Sequence, residues 1–194
     1  MKRVEFRERF STRGTAVFPV VHVLDNEQAE RNTQIAVDAG CSGVFLINHD
    51  FAYQQFLPII RHVRHAFPDF WIGVNFLAVT GKEAFPVLAA LQADNVRVDG
   101  YWADDARIDE RRPSHDQPEA DEILDVKAAC GWDGVYFGGT AFKKQRDVAP
   151  GDYEKSAATA CSFMDVVTTS GIATGHSADL NKIETFRKAC GDTP

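Results

Sequence analysis

No segment of this sequence is long and apolar enough to cross a bilayer; the best apolar run, residues 17–23, falls far short of the roughly 20 residues a spanning helix needs. The amino terminus, Met1-Lys-Arg-Val-Glu-Phe-Arg-Glu-Arg-Phe10, interleaves acids and bases and lacks the apolar core of a secretory signal. Both absences point to a cytoplasmic chain that does not span a membrane. There is no surplus of positive charge. With 21 basic against 28 acidic residues the net charge is −7, which argues against non-specific nucleic-acid binding. Low-complexity tracts, which would imply disorder, are also missing. The four cysteines, Cys41, Cys130, Cys161 and Cys190, form no CxxC motif, and each closes a helical pattern. They are expected to be reduced packing residues rather than metal ligands or disulfides.

What is present is enough for one large core. Hydrophobic residues make up 44% of the 194, with fourteen Phe and three Trp, and the expectation is a single domain over residues 1–194. The cysteines also mark a repeat. The stretches Asp38-Ala-Gly-Cys-Ser-Gly-Val-Phe-Leu-Ile-Asn48, Ala128-Ala-Cys-Gly-Trp-Asp-Gly-Val-Tyr-Phe-Gly138 and Thr159-Ala-Cys-Ser-Phe-Met-Asp-Val-Val-Thr-Thr169 each end a helix and begin an apolar, β-rich run. Lys188-Ala-Cys-Gly-Asp-Thr-Pro194 repeats the first half of that pattern. The last two intervals between cysteines are 31 and 29 residues, and Cys41 to Cys130 is 89, close to three such steps. One strand, one helix and two short loops occupy this length.

Strands are expected at 16–23, 43–48, 70–77, 95–101, 134–138 and 165–169. Most are continuous apolar runs, as parallel strands covered on both faces should be. Asp25 with Gln28, Thr80 with Glu83 and Asp116 with Glu119 have capping-box spacing, and Pro118 suits a first helical turn. The last helix carries Leu180, Ile183 and Phe186 on one face. The pattern predicts an α/β fold of the (β/α)8 TIM-barrel type, incomplete, with about six units present and strands 7 and 8 missing. A carboxy-terminal truncation is the first explanation, and an open six-stranded sheet closed by a partner is the alternative. Unpaired edges predict association, with a homo-oligomer as the expected partner state.

Ligands of such barrels sit at the carboxyl ends of the strands. The polar residues expected there are His22 and Asp25, then Asn48, His49 and Asp50, then Asn75. After the fourth strand come Asp99, Tyr101, Trp102 and Asp104, and after the fifth Gly138, Gly139, Thr140, Lys143 and Lys144. The segment Thr168-Thr-Ser-Gly-Ile-Ala-Thr-Gly-His176 leads into the last helix. Its glycines allow close backbone approach, its hydroxyls can donate, and a helix amino terminus favours an anion. Ser170, Gly171, Thr174 and Gly175 are therefore the expected phosphate ligands, the alternative being an ordinary βα turn. Lys143 or Lys144 could neutralise the phosphate or, if desolvated, form a Schiff base; a solvated loop is the plainer reading. His22, Asn75 and Asp99 are the expected residues at the reacting end, with His49 a further acid–base candidate. The spacing His22-Val-Leu-Asp25 lacks the His-x-His pattern of barrel metallohydrolases, so no metal is expected, and no cofactor is identified. Residues 103–122, with eight acids and three arginines, read either as a lid or as a solvated charged loop.

Gly73-Val-Asn75, the Arg97-Val-Asp99 strand followed by Trp102-Ala-Asp104, and Thr168 to Gly175 followed by Asp179 and a helix together resemble the BtpA-like barrels. That family is named for a factor in photosystem I biogenesis and is related to the ribulose-phosphate-binding barrels. The resemblance covers about residues 17–189. It departs after His22, where typical members carry a longer Pro- and Gly-rich loop. It implies a complete TIM barrel, and a function that is either enzymatic, on a small phosphorylated metabolite such as a sugar phosphate or nucleotide-like molecule, or that of a non-catalytic assembly or binding factor.

Overall fold

The computed structural model describes residues 1–11 and 14–194. In it, three of the four cysteines stand at a helix carboxyl end. Cys130 is the last residue of α5 (Pro118–Cys130), while Cys161 and Cys190 cap α6 (Tyr153–Ala160) and α7 (Leu180–Ala189). Cys41 follows α2 (Asn26–Asp38) by three residues. A strand comes after each of the first three junctions, so the repeat seen in the sequence is the β/α unit itself. The strands are β1 (Val20–Val23), β2 (Val44–Asn48), β3 (Ile72–Asn75), β4 (Gly100–Ala103), β5 (Val135–Gly139) and β6 (Val166–Thr168). They form one sheet in sequence order with every pairing parallel. Helices α3 (Tyr53–Ala66) and α4 (Gly81–Ala93) complete the alternation, and a short helix, α1 (Arg3–Arg9), precedes it. The fold is α/β, with six parallel strands alternating with helices as in part of a TIM barrel.

Alternate strand residues face two separate cores. Val21, Val23, Leu46, Val74, Tyr101 and Tyr136 are buried in the layer shared with the helices, together with Phe56, Phe85 and Leu88 from the helices. The opposite face holds Phe45, Val135, Phe137 and Val166, packed with Phe6, Phe18, Trp71 and Trp102. This inner cluster is closed at the amino ends of the strands by α1, whose Phe6 meets Phe18 edge-on and whose following residue, Phe10, meets Trp71. The Trp71 indole needs the room that two glycines leave. A Cβ on Gly100 would lie 2.5 Å from the indole, and one on Gly73 would lie 2.4 Å from the Phe45 ring.

Helix starts and stops differ from the sequence pattern in instructive ways. Asp25 caps α2 by accepting the Gln28 amide at 2.8 Å, and Gln28 Oε1 accepts the Leu24 amide, one residue off the usual box. Thr80 makes no side-chain cap, and α5 is preceded by Gln117 rather than Asp116, also without a side-chain cap. The largest change concerns β4. Asn95, read as the start of a strand, adopts φ +61 just past α4. Its amide donates to Gln92 O and the Val96 amide to Leu91 O, the paired bonds of a Schellman stop. The strand therefore begins at Gly100, and Asp99 stands before it, at the opposite end of the sheet from the rim where the sequence pattern put it. There the Asp99 carboxylate takes Arg64 Nη2 at 2.5 Å, Arg97 Nε at 2.7 Å and the Ile72 amide at 2.9 Å. Arg64, buried, spends its remaining donors on the carbonyls of Phe67, Pro68, Phe70 and Arg97.

The apolar stripe expected on α7 is only partly covered. Phe186 is buried, but Leu180 is 77% exposed and Ile183 41%. The other outer strand shows the same thing, with Val20, Leu24 and Ile35 exposed beside β1 and α2. These are the faces on which neighbouring units of a closed barrel would pack. Among the described residues no helix is long and apolar enough to cross a membrane.

Asp99 thus ties α3 to the amino ends of β3 and β4. Asp99→Ala would leave the Arg64 guanidinium buried without its counter-charge, and the free energy of unfolding should fall by about 3 kcal/mol, read from urea denaturation. A loss under ~1 kcal/mol would show that this ion pair does not hold the sheet base together.

Candidate functional site

Above the inner aromatic floor, polar side chains gather at the carboxyl ends of the strands. His22 is the third residue of β1 and faces the open interior, since its neighbours Val21 and Val23 are buried against the helices. Its ring stacks at 4.5 Å, tilted by 32°, on that of His49, which directly follows β2. Asn48, the last residue of β2, is buried and acts as a clamp. Its Nδ2 donates to Phe51 O at 2.7 Å and its Oδ1 accepts the Leu77 amide, joining the loops after β2 and β3. Asn75 ends β3 and donates from Nδ2 to Asp104 Oδ1 at 3.0 Å. Asp104 immediately follows β4, and its backbone lies so close to β5 that a Cβ on Gly139 would fall 2.1 Å from its carbonyl oxygen.

The electrostatics of the rim shift its two titratable groups in opposite directions. Burial pushes the Asp104 carboxyl above its ordinary range, opposed by the Asn75 hydrogen bond and by the positive fields of Lys143 and His49. His22 is pushed the other way. Desolvation, then the neighbouring His49 and Lys143, depress it below its usual value. The result is an imidazole that stays neutral and a carboxyl that holds its proton more tightly, a pairing suited to general acid–base work. Among the described residues no three His, Cys, Asp or Glu side chains converge as a metal site.

Beside the rim lies an open cavity of ≈ 410 Å³ whose lining includes Lys143, Lys144, Arg146, Ser170, Gly171, His176 and Lys182. Four of the residues expected around an anion, Lys143, Lys144, Ser170 and Gly171, are thus brought together. Thr174 and Gly175 are exposed and stand outside this lining. The wall is built by contacts between two loops. Ser170 Oγ accepts the Lys143 amide at 2.7 Å and donates to Gly171 O, while Lys182 Nζ reaches the carbonyls of Ala141 and Ser170. Gly171 is obligatory there, because a Cβ would lie 2.5 Å from His176 O. The amino terminus of α7 is not the free anion site expected from the sequence. Asp179 places its own carboxylate over it and accepts the Asn181 amide at 2.9 Å.

Lys182, Arg146 and His176 were not singled out from the sequence. Lys182 had a legible signal, since it falls four residues before Phe186 on the buried side of α7, where a lysine needs a reason. Its ammonium is depressed by desolvation and lies 5.0 Å from the Tyr153 ring centroid. The acidic loop after β4 is packed in its first part and solvated at residues 111–116. Ala106, Ile108, Glu110 and Gln117 are buried, Gln117 brackets the backbone of Asp109, and Arg146 pairs with Glu110.

No protein-family model and no curated protein matches the chain, so the BtpA-like resemblance gains no support at the level of family. Solved structures match the fold. A proposed fructose-1,6-biphosphate aldolase from Coccidioides immitis superposes with a TM-score of 0.61 at 14% identity, covering 98% of this chain and 65% of that one. A dipeptide epimerase from Enterococcus faecalis V583, complexed with Mg and L-Leu-L-Tyr, gives 0.57 at 13%, covering 91% and 44%. A mandelate racemase/muconate lactonizing protein from Herpetosiphon aurantiacus gives 0.56 at 13%, covering 90% and 44%. The chain therefore has the architecture of part of a TIM barrel, and it spans less than half the length of the last two structures. Identities this low speak for the fold alone.

The Asp104 environment has a measurable consequence. Its raised pKa means that the folded state binds the proton more tightly than the unfolded chain, so the ionised carboxylate weakens the fold at neutral pH. That penalty is relieved as the pH falls through the raised value. Asp104→Asn, which keeps an oxygen for Asn75, should raise Tm at pH 7. Its advantage should shrink as acid protonates the wild-type carboxyl, as followed by thermal melts from pH 7 to 4. A constant difference across that range would contradict the assignment.

Proposed function

We propose that the chain binds a small phosphorylated metabolite, a sugar phosphate or a nucleotide-like molecule, at the carboxyl-end rim of its strands. The phosphate lies in the cavity walled by Lys143, Lys144, Ser170 and Gly171, with Arg146 and His176 at its margin. The opposite end of the ligand reaches His22, Asn75 and Asp104, where the imidazole and the carboxyl are placed to exchange a proton with it. The single observation that carries this reading is the position of Lys143. It lines the cavity, and its charge is felt by both His22 and Asp104, which supports a single ligand spanning the two regions. A cluster of cations in a chain of net charge −7 is itself a reason to look for an anion. The BtpA-like resemblance of residues 168–175 points in the same direction.

A second reading rests on the exposed apolar residues of the two outer faces, Val20, Leu24 and Ile35 on one side and Leu180 and Ile183 on the other. They favour a binding or assembly factor that associates through those faces, with itself or with another chain.

Thermal melts with ribose 5-phosphate, a nucleoside monophosphate and inorganic phosphate separate the two. The metabolite reading predicts a rise in stability of about 2.7 kcal/mol at a ligand concentration 100 times Kd, lost in the Lys143→Ala/Lys144→Ala double variant. His22→Ala should keep the stabilisation and lose any turnover. No shift with any phosphate compound, or one that survives in the double variant, would refute the cavity as a phosphate site. A concentration-dependent mass in solution, without ligand response, would favour the assembly reading.

A further inference from the structure

The cysteine repeat has a chemical consequence in the last two units. Because each cysteine closes a helix, and α6 packs on α7, the caps of these two helices bring Cys161 and Cys190 together. The Cys161 sulfur lies 3.2 Å from Ala157 O, and the Cys190 sulfur lies 3.9 Å from the same oxygen. The Cys161 sulfur is also 4.0 Å from the Cys190 carbonyl oxygen. The two thiols thus share one acceptor, and the adjacent Cys190 thiol lowers the Cys161 thiol to about 6, while the same neighbour and burial push Cys190 up. Thr193 lowers the Cys161 thiol further, and so does the positive charge of Arg3 on α1, whose Nε is fixed on Gly191 O at 2.9 Å.

The two sulfurs also differ in access. Cys161 is half-buried and lines an open cavity of ≈ 250 Å³ at the amino ends of the strands, together with Lys127 and Asp165. Cys190 is 8% exposed and sits behind it. An accessible, acidic thiol backed by a protected one is the arrangement of an attacking and a resolving cysteine. Cys130, at the equivalent point one unit earlier, points its sulfur to Lys127 O instead.

We propose that Cys161 and Cys190 form a disulfide on reaction with a peroxide, with Cys161 attacking and Cys190 resolving. The Cys161 thiolate attacks one oxygen of hydrogen peroxide. The O–O bond breaks, the S–O bond of a sulfenic acid forms, and the departing hydroxide takes up a proton as water. Cys190 then attacks that sulfur, the S–S bond forms, the S–O bond breaks, and the second hydroxide leaves as water with the Cys190 proton. Two thiols and one peroxide give one disulfide and two waters. The bond closes a single β/α unit, from the cap of α6 to the cap of α7, and fixes the helix that carries Lys182 and Phe186. This site lies at the end of the sheet opposite the phosphate cavity and does not depend on that reading.

The test treats the folded protein with hydrogen peroxide, blocks remaining thiols with N-ethylmaleimide before denaturation, and maps peptides by mass spectrometry. The expected result is loss of two of the four free thiols, a Cys161–Cys190 linked peptide, a raised Tm, and reversal of all three by dithiothreitol. In Cys190→Ser, Cys161 should instead be trapped by dimedone as the sulfenic acid. In Cys161→Ser, the loss of thiols should be abolished. Four thiols retained under excess peroxide, a cross-link through Cys41 or Cys130, or oxidation of Cys161 to sulfinic acid without linkage in the wild type would overturn the proposal.

Discussion

The molecule depends on how its inner space is filled at one end. Trp71 stands just before β3 and packs edge-on against Phe10, Phe45 and Phe137, with Phe18 tilted against it. Gly73 and Gly100 remove the side chains that would otherwise occupy the same volume. Burying rings of this size stabilises by roughly 2 kcal/mol each, and their edge-to-face geometry adds some tenths more. Among the described residues the amino end of the interior is filled by aromatics and roofed by α1. The inward-facing polar groups His22, Asn75 and Asp104 stand at the carboxyl ends of the strands.

The rim follows from this exclusion. Inward positions alternate along each strand, so the residue two steps above an aromatic floor position points to the same interior. Phe45 leads to Ile47 and the loop bearing His49, Gly73 leads to Asn75, and Gly100 leads to Trp102 and then Asp104. Register places Asn48 level with Val23 and Ile47 level with Asn75, which keeps these tips at one height. Hydrogen bonds then link the tips in pairs: Asn48 to the loop after β3, Asn75 to Asp104, and Ser170 to the loop after β5. These bonds tie neighbouring strand ends together at three places, so the rim is not a set of independent loops.

How much of this was legible varies with the kind of signal. Strand order, direction and the β/α period could be read because apolar runs and cysteine-closed helices recur at near-constant spacing. Asp99 could not, because the residues from Asn95 to Asp99 look like a strand by composition alone. What decides the matter is backbone geometry: Asn95 takes up the left-handed conformation of a helix stop, which asparagine tolerates better than most residues. The chain then needs four more residues to reach the sheet, and the acidic residue that reaches the rim is Asp104 instead. Two of the three capping boxes failed for a related reason, while Asp25 did cap α2. The Thr80–Glu83 spacing is present, yet no side-chain cap forms, since spacing does not set the rotamer. The cavity was half legible. Ser170, Gly171 and the two lysines could be found by their place after strands, while Lys182 reaches the cavity from a helix face that only the tertiary packing brings near.

The same limit explains why a helix amino terminus is a weak guide to an anion. The terminus of α7 carries the partial positive charge that favours phosphate, but Asp179 supplies a carboxylate of its own at that point and takes the free amide of Asn181. A phosphate there would meet a negative charge and one donor fewer. Asp147 and Asp179 also line the cavity, yet three of its side-chain cations remain without a paired carboxylate. Lys143, Lys144 and His176 line the cavity, and none of the three has a carboxylate within salt-bridge distance among the described residues. Arg146 is different, since Glu110 already holds it, and Lys182 is occupied by two carbonyls. The charge available to a ligand therefore comes from the loop after β5 and not from the helix, which moves the binding centre toward Lys143 and so toward His22 and Asp104.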